Sequence, residues 1–337
     1  MRKFKKLIRV LVVLVLFLVV INIIPPSKAI ENNPFIKKDN EKTMLIAHRG
    51  GKITNPENTM KAFLEAVNTY NAEVLESDLY LTKDGHLVYN HDAYIDRTCN
   101  VNGDMSLEEV NKMIKEDKSK AHYIKDYTLE ELEQFNFGYY FEKDGVRPYK
   151  DLTMEEVKEE GLQIVEMSKL FKQFYETNKD LLFVIEIKNT KEENGFDAVD
   201  KLAQALDTYK DYKNQVVIGT FNPEIEDYLK TNHTDLYRGA STKGAAIFII
   251  TQILKVNIFD TNDIACLQIP MEYEIKDIEL ELDKRQYIRR AHRRNIAVQY
   301  WTINERDDMI DLIRLGCDGI MTDDLELGRR VIDSYYR

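Results

Sequence analysis

Apolar positions along this chain fall into two alternating spacings. Short, largely apolar runs begin at Met44, Glu73, Leu181, Gln215, Leu236, Ala265, Ile296 and Asp318, and they read as strands. Helical patterns lie between them. Met60, Phe63, Leu64 and Val67 recur at i, i+3, i+4 and i+7 behind Asn58 or Thr59 as a cap. Met167–Tyr175, Ala198–Leu206, Glu224–Lys230, Arg285–Asn295 and Arg306–Leu315 read the same way. Lys83-Asp84-Gly85 turns the second run back into a short extra strand, Leu87–Asn90. Continuous apolar strands alternating with helices predict a parallel sheet, and eight such units closing on themselves predict a TIM-type (β/α)8 barrel.

Two regions depart from this rhythm. Asn100–Tyr127 is rich in Lys, Glu and Asp with weak periodicity, so residues of about 100–160 are expected to form an insertion over the barrel mouth. Within it, Thr128–Leu132 carries a capping-box pattern, and the aromatic cluster Phe137–Phe141 is expected to be local core rather than a lipid contact. Residues 1–30 differ in kind. Arg2, Lys3, Lys5, Lys6 and Arg9 precede an uncharged apolar run from Val10 to Ile21 that continues through Ile23 and Ile24. A run of this length is short for a full membrane span, which needs about 20 residues, and fits the core of a signal peptide better. Pro25 and Pro26 break the helix, and Ser27-Lys28-Ala29 offers a small-x-small cleavage site, while Lys28 weakens that match and keeps a retained signal anchor open. Either reading leaves the basic end in the cytoplasm and the domain outside, secreted or membrane-anchored. Residues 31–42, polar with Pro34 and several Asn, read as a linker to a domain over 43–337.

Charge narrows the partners. The whole chain has a net charge of −11; its first thirty residues hold six basic side chains and no acid, leaving the remainder at −17. Such a surface argues against nucleic acid or anionic lipid as a general partner, although a local basic pocket for one phosphate is compatible with it. Cys99, Cys266 and Cys317 are scattered and odd in number, giving neither a disulfide framework nor a zinc spacing.

The candidate chemistry clusters between Met44 and Arg97. Glu76 and Asp78, two apart on a strand, point to one face, and two such buried charges need a neutraliser. One divalent cation is the simplest, with Glu186 at the end of the next main strand as a third oxygen donor. An all-oxygen site selects Mg²⁺, Mn²⁺ or Ca²⁺, with Ca²⁺ the more available outside the cytoplasm. His48 and His91 each follow a strand, and a histidine pair can move protons in both directions near neutral pH. His86, His122, His233 and His292 lack such context and are expected to be structural. Arg49 and Lys188 are candidate clamps on phosphoryl oxygens, and Glu57 is expected to orient Arg49 or to serve as a helix-start acid.

The order of these motifs resembles the glycerophosphodiester phosphodiesterase family. It comprises HRG at His48, PENT at Pro56, E-x-D at Glu76, T-x-D-G-x-L-V at Thr82, HD at His91, DRT at Asp96, EIK at Glu186, QYWTIN at Gln299 and DGIMTD at Asp318. The likeness runs from about Met44 to the end. It implies the same barrel, His48 and His91 as general acid and base, Glu76, Asp78 and Glu186 as metal ligands, and Trp301 as an apolar wall beside glycerol, with Gln268 lining the same mouth. The implied reaction is hydrolysis of glycerophosphodiesters to sn-glycerol 3-phosphate and an alcohol. Departures from the family pattern at Ile164-Val165-Glu166-Met167-Ser168-Lys169 and at Asp323-Asp324-Leu325 leave lysophospholipid or cell-wall polyglycerolphosphate open as substrates. A catalytically inactive binding module is the alternative of another class, and it would be signalled by loss of a histidine or a carboxylate. Oligomeric state has no signature in the sequence.

Overall fold

The computed structural model describes residues 2–23, 26–38, 41–256, 260, 262–275 and 278–337. In chain order its strands are β1 (Met44–Ala47), β2 (Val74–Leu81), β3 (Leu87–Tyr89), β4 (Leu182–Ile187), β5 (Val216–Gly219), β6 (Tyr237–Arg238), β7 (Cys266–Ile269), β8 (Glu272–Ile275), β9 (Ile278–Glu281), β10 (Ala297–Tyr300) and β11 (Gly319–Thr322). The helices are α1 (Arg2–Ile23), α2 (Met60–Asn68), α3 (Leu107–Glu116), α4 (Leu129–Leu132), α5 (Met154–Glu159), α6 (Met167–Tyr175), α7 (Gly195–Thr208), α8 (Pro223–Asn232), α9 (Thr242–Ile253), α10 (Arg285–Arg293), α11 (Arg306–Leu315) and α12 (Leu325–Tyr335). Parallel pairing runs in the order β6-β5-β4-β2-β1-β11-β10-β7, and a parallel bridge from Gly239 to Cys266 brings β6 round to β7. This is a nearly closed TIM-type barrel. Each of the eight expected strand starts lies within one residue of an observed one.

Pleating sorts each strand into two phases. Met44, Ile46, Val74, Leu182, Val184, Val217, Ala297 and Met321 form one buried cluster inside the barrel. Leu45, Leu75, Phe183, Ile185, Ile218, Val298 and Ile320 belong to another, packed with helix residues such as Phe63, Leu202 and Leu312. The inner phase carries the chemistry, because counting by two from Ile46 reaches His48, from Val74 reaches Glu76 and Asp78, from Val184 reaches Glu186 and Lys188, and from Met321 reaches Asp323.

The stretch expected as a linker is packed against the barrel. Phe35 is fully buried and belongs to the cluster inside the barrel. Asn33 donates to the carbonyls of Ala265 and Asn295, Asn295 donates to those of Ile30 and Glu31, and the Lys37 N–H donates to Asp318. These partners precede or begin strands, so residues 26–38 seal the end of the barrel opposite the site. One aromatic in a polar stretch carries no periodicity, so this packing has no signature in the sequence. Phe35→Ala should destabilise the fold by about 3–5 kcal/mol, the usual cost of emptying an aromatic core position, measurable by urea unfolding.

Among the described residues no helix is long and apolar enough to cross a membrane. The apolar side chains of Leu7, Ile8, residues 10–17, Val19 and Val20 in α1 are nevertheless largely exposed. Residues 100–160 build out from the loop that carries His91 and form two small cores. One joins Val88, Ile95 and Cys99 to Ile124, Leu132 and Phe137; the other buries Tyr139 and Tyr140 with Val110 and Ile114. Thr128 and Glu131 make both bonds of the expected capping box.

Candidate active site

The turn after β1 is shaped by three positive-φ residues. Arg49 lies at φ 55°, Gly50 at 79° and Gly51 at 92°. A Cβ on Gly50 would come within 2.8 Å of Ala62 and one on Gly51 within 2.6 Å of Leu325, so both positions require glycine. For Arg49 the left-handed conformation costs about 1–2 kcal/mol. In return its N–H donates to Glu76 Oε2 at 2.9 Å, and its guanidinium reaches Glu57 at 3.3 Å and Asp78 at 3.6 Å. The PENT loop holds the turn from outside, since the Asn58 N–H donates to the Arg49 carbonyl and Thr59 caps α2.

Each candidate catalytic histidine has a carboxylate on Nδ1. His48 Nδ1 lies 2.5 Å from Asp323 Oδ1, while its Nε2 is 3.8 Å from Glu76. His91 Nδ1 lies 2.9 Å from Asp92 Oδ1. A carboxylate accepting from Nδ1 fixes the tautomer and leaves Nε2 able to take a proton. Burial works against the Asp323 carboxylate, but its hydrogen bond with His48 and that from Asn304 outweigh it and hold its pKa below the usual range. Asp92 is likewise opposed by burial and held low by His91 and by Arg97, which donates to it through Nε. Arg97 also grips Glu57 with both Nη atoms at 2.9 and 2.6 Å. The acid expected to orient Arg49 therefore joins the Arg49 turn to the His91 loop.

The three acids expected to share a cation are all at the mouth. Burial, then the charge of Asp78, pushes the Glu76 carboxyl well above its ordinary pKa, although the Arg49 N–H opposes this. Glu186 is also raised, chiefly by burial and then by the charge of Asp78, although Lys188 opposes the shift. Lys188 Nζ stands between the acids, 3.1 Å from Asp78 and 2.8 Å from Glu186. Among the described residues no group of three or more His, Cys, Asp or Glu converges on one point as a metal cluster. The donor chemistry still fits a hard divalent cation, because three acids meet two bases here and the buried Asp78 Oδ2 has no hydrogen-bond partner. Lys188, the candidate phosphate clamp, also offsets the charge of these acids, as burying like charges side by side requires.

Trp301 stands at the end of β10, its ring 6.5 Å from that of Phe221 in an edge-on contact, and Phe221 is 63% exposed. Gln268 lies deeper, donating to Gln299 at 3.0 Å beside Gly239, where a Cβ would meet its Oε1. The remaining histidines have structural partners: His86 lies against Glu166, His122 against Asp96, His233 against Asp200 and His292 against Asp318. Sequence reading missed Asp323, Asp92, Arg97 and Phe221. The phase of β11 could have found Asp323, two residues beyond Met321, whereas Arg97 and Phe221 lie on loops without periodicity.

A phosphoryl-transfer site at the strand ends of a (β/α)8 barrel defines the class, a phosphodiesterase. The glycerophosphoryl diester phosphodiesterase family model matches residues 48–327, and the chain belongs to that family. A glycerophosphodiester phosphodiesterase of Caldanaerobacter subterraneus subsp. tengcongensis is 28% identical over 85% of this chain and 96% of its own. A lysophospholipase D of Mus musculus is 25% identical over 85% of each. The solved glycerophosphoryl diester phosphodiesterase domain of a Mycobacterium tuberculosis protein superposes with a TM-score of 0.66 at 15% identity, over 86% of this chain and 99% of that one. An Oleispira antarctica phosphodiesterase in complex with sn-glycerol-3-phosphate superposes at 0.58 with 19% identity, over 87% and 97%. The family is generally dependent on a divalent metal.

Proposed function

We propose that this phosphodiesterase hydrolyses glycerophosphodiesters to sn-glycerol 3-phosphate and an alcohol outside the cytoplasm, with His48 and His91 moving the protons. The observation that carries this reading is the pair of histidines, each buttressed by a carboxylate, bordering one basic and acidic cluster. One histidine takes a proton from the attacking oxygen as the P–O bond forms, and the other gives one to the departing alkoxide as the second P–O bond breaks. Glu76, Asp78 and Glu186 would hold a divalent cation, Ca²⁺ or Mg²⁺, which supplies positive charge to phosphoryl oxygens when bound. Arg49 then orients the phosphoryl group through its guanidinium, itself aimed by Glu57. The glycerol 2-hydroxyl is the favoured nucleophile, because a tethered group has a high effective concentration; it expels the alcohol to leave a cyclic phosphate, which water then opens to sn-glycerol 3-phosphate. Incubation with glycerophosphocholine should release sn-glycerol 3-phosphate and choline; release of phosphocholine instead would overturn the assignment.

A lysophospholipid is the second substrate reading, supported by the apolar Phe221–Trp301 pair at the mouth and by the mouse relative. For location, the basic start and exposed apolar face of α1 support its role as an export or anchoring segment. Protease added to intact cells should digest the barrel; a protected full-length chain would refute export.

A further inference from the structure

Helix α9 carries large apolar side chains on both its inner and outer faces, with Thr242 and Lys243 exposed at its start and Thr251 and Gln252 buried near its end. Its inner face buries Phe248 and Ile249 in the core, as an amphipathic barrel helix should. Beyond Lys243 its outer face is apolar. Ala246, Ile247, Ile250, Ile253 and Leu254 follow helical spacing on the exposed side, with Ile250 and Ile253 each 54% and Leu254 61% exposed. A contiguous apolar stripe on a soluble barrel marks an interaction surface.

The neighbourhood of the stripe indicates what covers it. The C-terminal end of α1 is pinned beside it, since Asn22 donates to the Lys255 carbonyl at 2.6 Å and accepts from Arg290 and Arg293 of the adjacent α10. The apolar helix α1 therefore leaves the barrel at one end of the stripe. α10 adds Arg285, Arg289 and Arg293, exposed at four-residue spacing, to an otherwise acidic protein, with Arg285 also donating to the Arg314 carbonyl of α11. The hairpin β8–β9, with Glu272, Glu279 and Glu281, lines a groove shared with Ile253 of α9 and Gln286 of α10. Apolar side chains flanked by arginines next to a lipid-seeking helix match the chemistry of a bilayer surface, where isoleucines enter the acyl boundary and guanidinium groups meet lipid phosphates.

We infer that the α9 stripe and the α10 arginines form a membrane-docking face that lays the barrel on its side against the lipid surface into which α1 inserts. The inference rests on the lipid-associated reading of α1. It places the active-site mouth at the edge of the interface instead of pointing away from it, within reach of substrates still close to the membrane.

The native cysteines are all buried, so a thiol introduced on the surface can be labelled selectively. Full-length protein carrying an environment-sensitive fluorophore at Ile250→Cys, Val13→Cys or Lys172→Cys is reconstituted with vesicles of phosphatidylglycerol and phosphatidylcholine containing a lipid-borne quencher. The proposal expects quenching at 250 and at 13 at least twofold above that at 172, which lies on α6. Quenching at 13 alone would overturn the docking face and leave the anchor standing, whereas quenching at 250 alone would support the face and remove the anchor. A response at 250 that follows protein concentration without vesicles would assign the stripe to a second copy of the chain and overturn the proposal.

Discussion

Alanine in place of His48 or His91 should lower kcat/KM on glycerophosphocholine by about 100- to 10,000-fold each, the usual contribution of a positioned general acid or base. The double variant should be little worse than the single ones, because the two histidines serve the same bond exchange and their losses do not add. Asp323→Asn tests the arrangement more sharply. Its carboxylate accepts from His48 Nδ1, and an amide in its place can present a donor instead, turning the imidazole to the wrong tautomer while the fold stays intact. A large fall in kcat with little change in KM is the expected result. If His48→Ala and His91→Ala both retained near-normal turnover, proton transfer by these residues would be excluded and the phosphodiesterase would have to use other groups.

Chelation should abolish activity, and replacing Glu76, Asp78 or Glu186 should lower both metal affinity and turnover by orders of magnitude. Calorimetric titration with Ca²⁺ and Mg²⁺ reads affinity apart from turnover. Glu76→Gln is the most informative variant. It keeps the size of the side chain and its acceptor for the Arg49 N–H, and it removes a carboxylate whose charge burial already disfavours. It should therefore fold as well as the parent or slightly better while losing metal affinity. Lys188→Met completes the set: it removes the ammonium that stands between Asp78 and Glu186, so folding should weaken unless a divalent cation is supplied. Full activity in EDTA, or in Glu76→Gln, would sink the metal assignment.

Much of the barrel was legible in the sequence because parallel strands buried on both faces must be continuously apolar, and that pattern is local. The same local rule carries the chemistry. Once β1, β2 and β4 are recognised, the two-residue pleat alone places His48, Glu76, Asp78, Glu186 and Lys188 in one phase. Tertiary structure decided the partners, which come from positions far apart in the chain. Asp323 meets His48 across 275 residues because β11 pairs with β1, and Arg97 meets Glu57 because the His91 loop folds back over the PENT turn. Phe35 reads as an isolated aromatic in a polar stretch and becomes core only when eight strands enclose a space for it. The apolar outer face of α9 is likewise a tertiary property, since only packing decides which of its isoleucines the barrel buries and which it leaves exposed.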